Sequence, residues 1–446
     1  MAQTAQPTQI LTAQALAGMS PAERASYFGG LPPDLRSGEE ETFKQYVSSA
    51  NAQFMALATR KTAVMIPVGG GTTQAYSAGA ALTWDFPTAG GAWARAIVFT
   101  CVLTVTNATG TGAAYALNQL APLTVFDRIQ VLLNGVQHNL RPYILKYVAQ
   151  LRGYQKAGEP TSVLAGSQDA TIQGILNSAL PVAVGANTWK FKFRFPLNVL
   201  NDESEIGLLP MMSAGTKPQL VVTCAPQPLG NDPLLNAVRT TGGTGASTTI
   251  TGTIQADVEY NDGTNYFTPT ALALDMSDQP TIQYINDQPI SNLSAGIINR
   301  GRITTLLQHY LVLAAICDAT TAGQMISGLS NLQILELDMD SVGQNVFHKY
   351  GTGTNVDIYD FYERFRRQFG FDLDEGIIPW IVGWGAHLTN PDNHNGTALL
   401  NMMVGGWPDV NHGYQLGAVG GASGVSARVD VHLISLNPAG LKLVLS

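Results

Sequence analysis

Residues 125–133 read VFDRIQVLL and run into Asn134-Gly135, and residues 332–337 read LQILEL, an echo of Ile129–Leu133 in the other half of the chain. The first run is rich in the branched and aromatic residues that fit a pleated surface. Asn-Gly directly after it is the strongest short hairpin signal, because a two-residue type I′ turn needs positive φ at both positions. After each run the period changes from two to that of a helix. Pro142, Ile144, Tyr147, Val148 and Leu151 come first, closed by Gly153; Ile358, Phe361, Tyr362, Phe365 and Phe369 come second, closed by Gly370. Phe193-Arg194-Phe195-Pro196-Leu197 and Glu205-Ile206-Gly207-Leu208-Leu209-Pro210 follow the first helix. Phe369-Gly370-Phe371-Asp372-Leu373 and Glu375-Gly376-Ile377-Ile378-Pro379 follow the second. Strand, hairpin, helix and strand therefore occur twice, with unequal loops, which is the pattern of a duplicated β domain and not of a repeat array.

Outward from these runs the chain stays strand-rich from about Thr62. Ala94–Val105 (ARAIVFTCVLTV) and Thr188–Phe195 (TWKFKFRF) predict strands, the second by clean alternation, and Gly242–Ser247 predicts a loop before a strand over Thr249–Val258. The first sixty residues differ. Ser20-Pro21-Ala22-Glu23 is a capping box with proline at the first helical position, and Gly29-Gly30 stops that helix. Ser37 with Glu40 predicts a second N-terminus, opening a helix on which Phe43, Tyr46, Val47, Ala50, Phe54 and Leu57 form one apolar stripe. Glu39, Glu40 and Glu41 stand at its start and Arg60 and Lys61 at its end, the favourable arrangement for the helix dipole. Such a stripe packs under the next domain, or faces a membrane or a neighbouring subunit, and the two are compatible.

The totals agree with many short strands. A chain of 446 residues exceeds the ~250–300 at which one core stops growing, and 46 glycines and 23 prolines in a chain that is 45% hydrophobic suit strands joined by turns. Only 13% of residues are charged, against roughly 25% in an ordinary soluble domain. Extensive burial against copies of itself is one source of that deficit; a large neutral polar surface is the other. The net charge of −8 argues against a general nucleic-acid binder. Cys101, Cys224 and Cys317 lack metal-ligand spacing and are expected as buried free thiols. The start carries no secretory pattern, and no apolar run approaches the ~18–20 residues that cross a bilayer, so a soluble, cytoplasmically made protein is expected.

No catalytic motif emerges. Ser77, Ser213 and Ser294 precede Ala-Gly without the leading glycine of a nucleophile elbow, and Gly69-Gly70-Gly71 lacks the lysine of a phosphate loop and reads as a turn. His138, His309, His348, His387, His394, His412 and His432 show no ligand spacing and read as surface or internally satisfied side chains. Asp392, His394 and Gly396 resemble a calcium loop only faintly, since Met403 stands where its glutamate belongs. Asp372, Asp374 and Glu375 read as solvated loop acids. Arg364, Arg366 and Arg367 are the one notable basic cluster; Asp360 to Arg364 and Glu363 to Arg367 are i,i+4 pairs, so a solvated salt-bridged helix face stands beside an intersubunit ion pair. Neither a catalytic nor a metal site is assigned, and no cofactor is expected.

Two helix-bearing β domains behind a helical arm resemble the double jelly-roll major capsid proteins, of the tectivirus type found in membrane-containing icosahedral bacteriophages. Three stretches carry the likeness: Phe195-Pro196-Leu197 through Asp202-Glu203-Ser204-Glu205 to Lys217–Val222; the aromatic, arginine-bearing Tyr359–Phe371 running into Asp374-Glu375-Gly376; and the pair of strands flanking Leu388-Thr389-Asn390-Pro391. The resemblance implies a mainly β fold of two tandem eight-stranded jelly rolls, over 61–270 and 271–446, each with one inserted amphipathic helix, after a helical arm over 1–60. It implies homotrimers that form pseudo-hexagonal tiles of a virion shell over an internal membrane, assembled in the host cytoplasm. Penton and minor capsid proteins would be further partners. Phe43, Tyr46, Val47, Phe54 and Leu57 would face the base and membrane; Arg364, Arg366 and Arg367 would lie between subunits. The longer arm and the Gly-rich loops at Gly69–Gly71 and Gly405–Gly424 depart from the tectivirus pattern. A carbohydrate-binding jelly roll or phage spike and a β-rich glycoside hydrolase are the alternatives; the first needs exposed aromatic platforms, the second a cleft with paired acids.

Overall fold

The computed structural model describes residues 11, 16, 21–33, 35–39, 42, 59–87, 92–118, 120–133, 136–145, 180–197, 208–211, 218–262, 281–286, 298–303, 308–318, 334–341, 344–350, 377–381, 414–420 and 427–437. From residue 281 onward it describes the backbone of the strands and the side chains of Asp430 and His432.

Alternating burial makes the strands. The first half holds β1 (Thr59–Val64), β2 (Ile66–Pro67), β3 (Gln74–Ala75), β4 (Ala81–Asp85), β5 (Ala92–Asn107), β6 (Ala114–Leu117), β7 (Phe126–Leu132), β8 (Val136–Leu140), β9 (Gly185–Pro196), β10 (Leu209–Pro210), β11 (Gln219–Cys224), β12 (Val238–Gly242) and β13 (Thr248–Asp262). The second half holds β14 (Thr281–Asn286), β15 (Ile298–Ile303), β16 (Gln308–Asp318), β17 (Ile334–Ser341), β18 (Gln344–Tyr350), β19 (Ile377–Ile381), β20 (Tyr414–Gly420) and β21 (Ala427–Asn437). With the short β2, β3, β6, β10 and β12 set aside, each half has eight strands among the described residues.

The order of those eight strands is the same in both halves. One sheet of each half runs first–eighth–third–sixth, as β1-β13-β5-β9 and again as β14-β21-β16-β19. The other runs second–seventh–fourth–fifth, as β4-β11-β7-β8 and again as β15-β20-β17-β18. This is a jelly roll made twice. The two echoing sequence runs fall on β7 and β17, the fourth strand of each roll. The GLLP and GIIP motifs end in β10 and β19, and both pair with a third strand, β5 or β16. β7 and β8, the strands on either side of Asn134-Gly135, pair antiparallel from Leu132↔Val136 to Ile129↔Leu140; Asn134 and Gly135 themselves lie outside the described residues.

In the first roll the core lies between its two sheets. On β9, Trp189, Phe191, Phe193 and Phe195 are buried while Lys190 and Lys192 are exposed. Phe193 stacks on Phe99 of its neighbour β5 at 4.6 Å between centroids, and meets Phe126 from the facing sheet at 5.7 Å. Each such ring, fully buried, contributes about 1.5–3 kcal/mol of transfer free energy. The strand β13 passes β5 so closely at Gly252 that a Cβ there would lie 2.2 Å from the Val102 carbonyl oxygen, and its φ of +135° also favours glycine.

The first helix, α1 (Pro21–Gly30), starts and stops where the capping box and the glycine pair place it. The next helical turn begins earlier than expected: Pro33 and residues 35–39, Ser37 included, are helical, and the Pro32 carbonyl accepts from the Leu35 and Arg36 amides. Proline at the first helical position outcompetes the Ser37 cap because its φ is already set and its missing N–H is not needed there. Gly69-Gly70-Gly71 is a turn after β2, with Gly70 and Gly71 at positive φ. The stripe Phe43, Tyr46, Val47, Phe54 and Leu57, the second inserted helix with Arg364, Arg366 and Arg367, and Tyr147, Val148, Leu151 and Gly153 of the first lie outside the described residues.

Candidate functional site: the junction between the rolls

The two rolls share a sheet. β8, the fifth strand of the first roll, lies parallel to β14, the first strand of the second, through the register pair Asn139↔Ile285, so nine strands form one surface from β2 to β19. A single backbone pair is a weak tether. The side chains around it carry the rest.

The chain leaving β8 reads Arg141-Pro142-Tyr143 and turns into helix, with the Ile144 amide donating to Arg141 and Leu145 to Pro142. That turn drives Tyr143 into the second roll. Its ring is buried, its hydroxyl lies 2.7 Å from His432 Nε2 and 3.2 Å from Asp430 Oδ2, and its ring plane meets the imidazole at 89°. Arg141 stands between the same Asp430 and its own roll, with Nε 3.2 Å from Asp430 Oδ2 and Nη1 3.3 Å from Asp127 Oδ1. The first contact is an ion pair by distance and is not aligned as a hydrogen bond. Asp430 and His432, on β21, are 1% and 2% exposed, with Arg141 and Tyr143 of the first roll against them. Asp127, Arg141, Tyr143, Asp430 and His432 thus form one polar seam across the rolls, half-buried at Asp127 and Arg141 and fully buried at the other three.

A second histidine, on β8, lies in the core of the first roll. His138 on β8 is fully buried, edge-on to Phe195 at 5.6 Å, and desolvation lowers its pKa to about 3, so it stays neutral. The two histidines whose side chains are described, His138 and His432, are therefore interior, which fits the reading of internally satisfied side chains. The seam itself was missed. Its one signal is the run Arg428-Val429-Asp430-Val431-His432, where ionisable residues alternate with valines and so share one strand face. No sequence pattern joins that run to Tyr143, more than 280 residues away.

Chemically the seam holds and does not react. Its groups are held to one another by the Tyr143 hydroxyl and by the ion pairs of Arg141, and among the described residues no cluster of His, Cys, Asp and Glu suits a metal ion. Cys101 and Cys224 are buried free thiols, whose pKa values burial pushes up. Trp84, Trp93 and Trp189 are all buried, which removes them as sugar platforms. Among the described residues no helix is long and apolar enough to cross a membrane.

No family model and no curated protein matches the sequence. Solved structures do match the fold. The structure described as the STIV MCP aligns over 86% of this chain and 98% of its own, at 9% identity and a TM-score of 0.51. The Faustovirus major capsid protein aligns over 85% of this chain and 90% of its own, at 10% identity and a TM-score of 0.51. At these identities the likeness is one of fold: this chain has the double jelly-roll fold of viral major capsid proteins.

Two outcomes follow, one from the seam and one from the buried His138. Tyr143→Phe leaves Asp430 and His432 buried without their shared hydroxyl, and should lower stability by about 1–3 kcal/mol, read as a reduced urea midpoint at unchanged slope; an unaltered midpoint would mean that the seam contributes nothing. His138 binds its proton in the unfolded chain near pH 6.5 but in the folded one only near pH 3. The unfolded state therefore gains protons across that window, and the stability this histidine contributes above pH 6.5 is lost as the pH falls. His138→Gln should flatten the decline of the denaturation midpoint between pH 6 and 4; parallel curves for the two proteins would refute the assignment.

Proposed function

We propose that the chain is the major capsid protein of an icosahedral virus, a structural subunit and not an enzyme. The observation that carries this reading is the doubled strand order, two sandwiches of identical topology fused through one sheet. A fused pair of this kind offers two nearly equal walls to its neighbours, so three copies present six rolls around an axis and approximate a hexagon. Closed cyclic assembly buries such walls in a finite unit. Permanent interfaces commonly exceed about 2,000 Å², and a chain with 13% charged residues has walls suited to that burial.

In this reading the two rolls span 61–270 and 271–446. The subunit is a homotrimer, and neighbouring trimers tile the virion shell together with penton and minor capsid proteins. The arm over 1–60 lies at the base over an internal membrane, with Phe43, Tyr46, Val47, Phe54 and Leu57 toward it. Arg364, Arg366 and Arg367 take part in contacts between subunits. Neither a cofactor nor specific nucleic-acid binding belongs to this role. The burial of Trp84, Trp93 and Trp189 in the first core weighs against the carbohydrate-binding alternative.

Solution mass tests the assembly. The purified chain should run as a trimer that withstands moderate salt, and electron micrographs of infected-cell lysates should show it in icosahedral shells. A monodisperse monomer with measurable glycan affinity would replace this reading with the lectin-like one. The arm has its own test. Replacing Phe43, Val47 and Phe54 together by serine should leave the trimer intact but reduce the yield of membrane-filled particles severalfold; a normal yield would remove the arm from the base.

A further inference from the structure

The junction inside one chain is a template for the junction between chains. It joins the fifth strand of one roll, β8, to the first strand of the next, β14. The duplication supplies a second pair of the same kind: β18 is the fifth strand of the second roll and β1 the first strand of the first. β1 ends the sheet β1-β13-β5 and β18 ends the sheet β15-β20-β17-β18, and among the described residues neither has a strand on its outer side. We propose that β18 of one copy docks in parallel beside β1 of a second copy of this chain, repeating the β8–β14 contact, and that three such head-to-tail contacts close a ring. This rests on the reading of the chain as a self-assembling shell subunit and names the edges by which it assembles.

Register carries the correspondence to single residues. β14 pairs with β21 from Thr281↔Asn437 to Asn286↔His432, and β1 pairs with β13 from Thr59↔Asp262 to Val64↔Asp257. Residue by residue, Ile285 therefore corresponds to Ala63, His432 to Asp257 and Asp430 to Gln255. In the second roll that polar pair is buried, with Arg141 and Tyr143 of the first roll against it. In the first roll Gln255 and Asp257 occupy the same two positions, hydrogen-bonded to each other at 2.8 Å and only half-buried, while Ile254, Ala256 and Val258 between and beside them are buried in the core. The same outward polar pair exists twice, covered once.

The edge strand itself is graded to fit. The template contact is made at the fifth residue of β14, which places the new contact at Ala63, the apolar end of the sequence Thr-Arg-Lys-Thr-Ala-Val. Beyond it Val64, Ile66 and Val68 are exposed at 42%, 55% and 61%, three of the six large hydrophobic residues so exposed among the described residues. Charge sits at the other end, on Arg60 and Lys61, where it discourages unregistered strand pairing. An isologous pairing of two β1 edges would not use β18 at all, and a head-to-tail contact that closes does so with a cyclic ring.

Cysteine pairs decide the matter in the full-length chain. Ala63→Cys is combined in turn with His348→Cys, Lys349→Cys and Tyr350→Cys, the last residues of β18, and Asn139→Cys with Ile285→Cys serves as the in-chain control. After mild oxidation, at least one of the three pairs should give covalent dimers and trimers on a non-reducing gel, with the ladder ending at the trimer, while the control closes without gain in mass. A wild-type trimer whose three test pairs all fail to join, alongside a control that closes, overturns the edge assignment and leaves the trimer standing. Closure of a test pair within one monomer, or a ladder running past the trimer, overturns it too. A wild-type monomer overturns both this inference and the assembly on which it rests.

Discussion

A β-sandwich cannot satisfy its own edges. Each sheet ends in a strand whose outward N–H and C=O groups need a partner, water or a covering element, and this constraint shapes every feature of the chain. The first roll meets it on one side by running β8 against β14, so that the edge of one sandwich becomes the interior of a nine-strand surface. Short strands meet it elsewhere: β2 extends the sheet beyond β4, and β10 shares the outer side of β5 with β9, continuing it from Ala96 to Trp93. Each device is local and leaves the eight-strand order unchanged.

The parts of this architecture readable from sequence are those set by local chemistry. TWKFKFRF alternates because one face of β9 is core and the other is solvent, and the structure extends the strand only a few residues beyond that run. The echo of IQVLL in LQILEL was legible because both runs are fourth strands, paired on both sides in the middle of a sheet, where sequence freedom is least. Strand ends were less legible. β13 runs on to Asp262, past the expected Val258, through Glu259, Tyr260, Asn261 and Asp262. Only Tyr260 among them favours a strand by type; the backbone pairing to β1 and β5 holds all four.

The seam was illegible for a different reason. Tyr143, Asp430 and His432 acquire meaning only when a turn at one end of the first roll meets the last strand of the second. Each residue alone has an ordinary reading, and the long separation along the chain leaves no periodicity to connect them. Composition carried a trace of it, since a chain poor in charge had nonetheless placed Arg428, Asp430 and His432 on alternate positions of a strand. Ionisable residues on one face of an otherwise apolar strand imply a wall that something polar must meet.

Why the wall is polar follows from what it must specify. One register pair joins β8 to β14, and backbone pairing at that length would tolerate a slip along the strand. A slip by one residue would turn every side chain of the strand to the opposite face. An apolar contact would hold at several offsets, whereas a phenol that must reach His432 at 2.7 Å and Asp430 at 3.2 Å holds at one. Burying Asp430 beside Arg141 costs desolvation that the ion pair offsets only in part, so the seam contributes less to stability than an equal area of leucine would. It contributes register instead. Two rolls locked at a fixed offset and angle present their outer edges in fixed directions, and that rigidity is the condition for any regular array built from them.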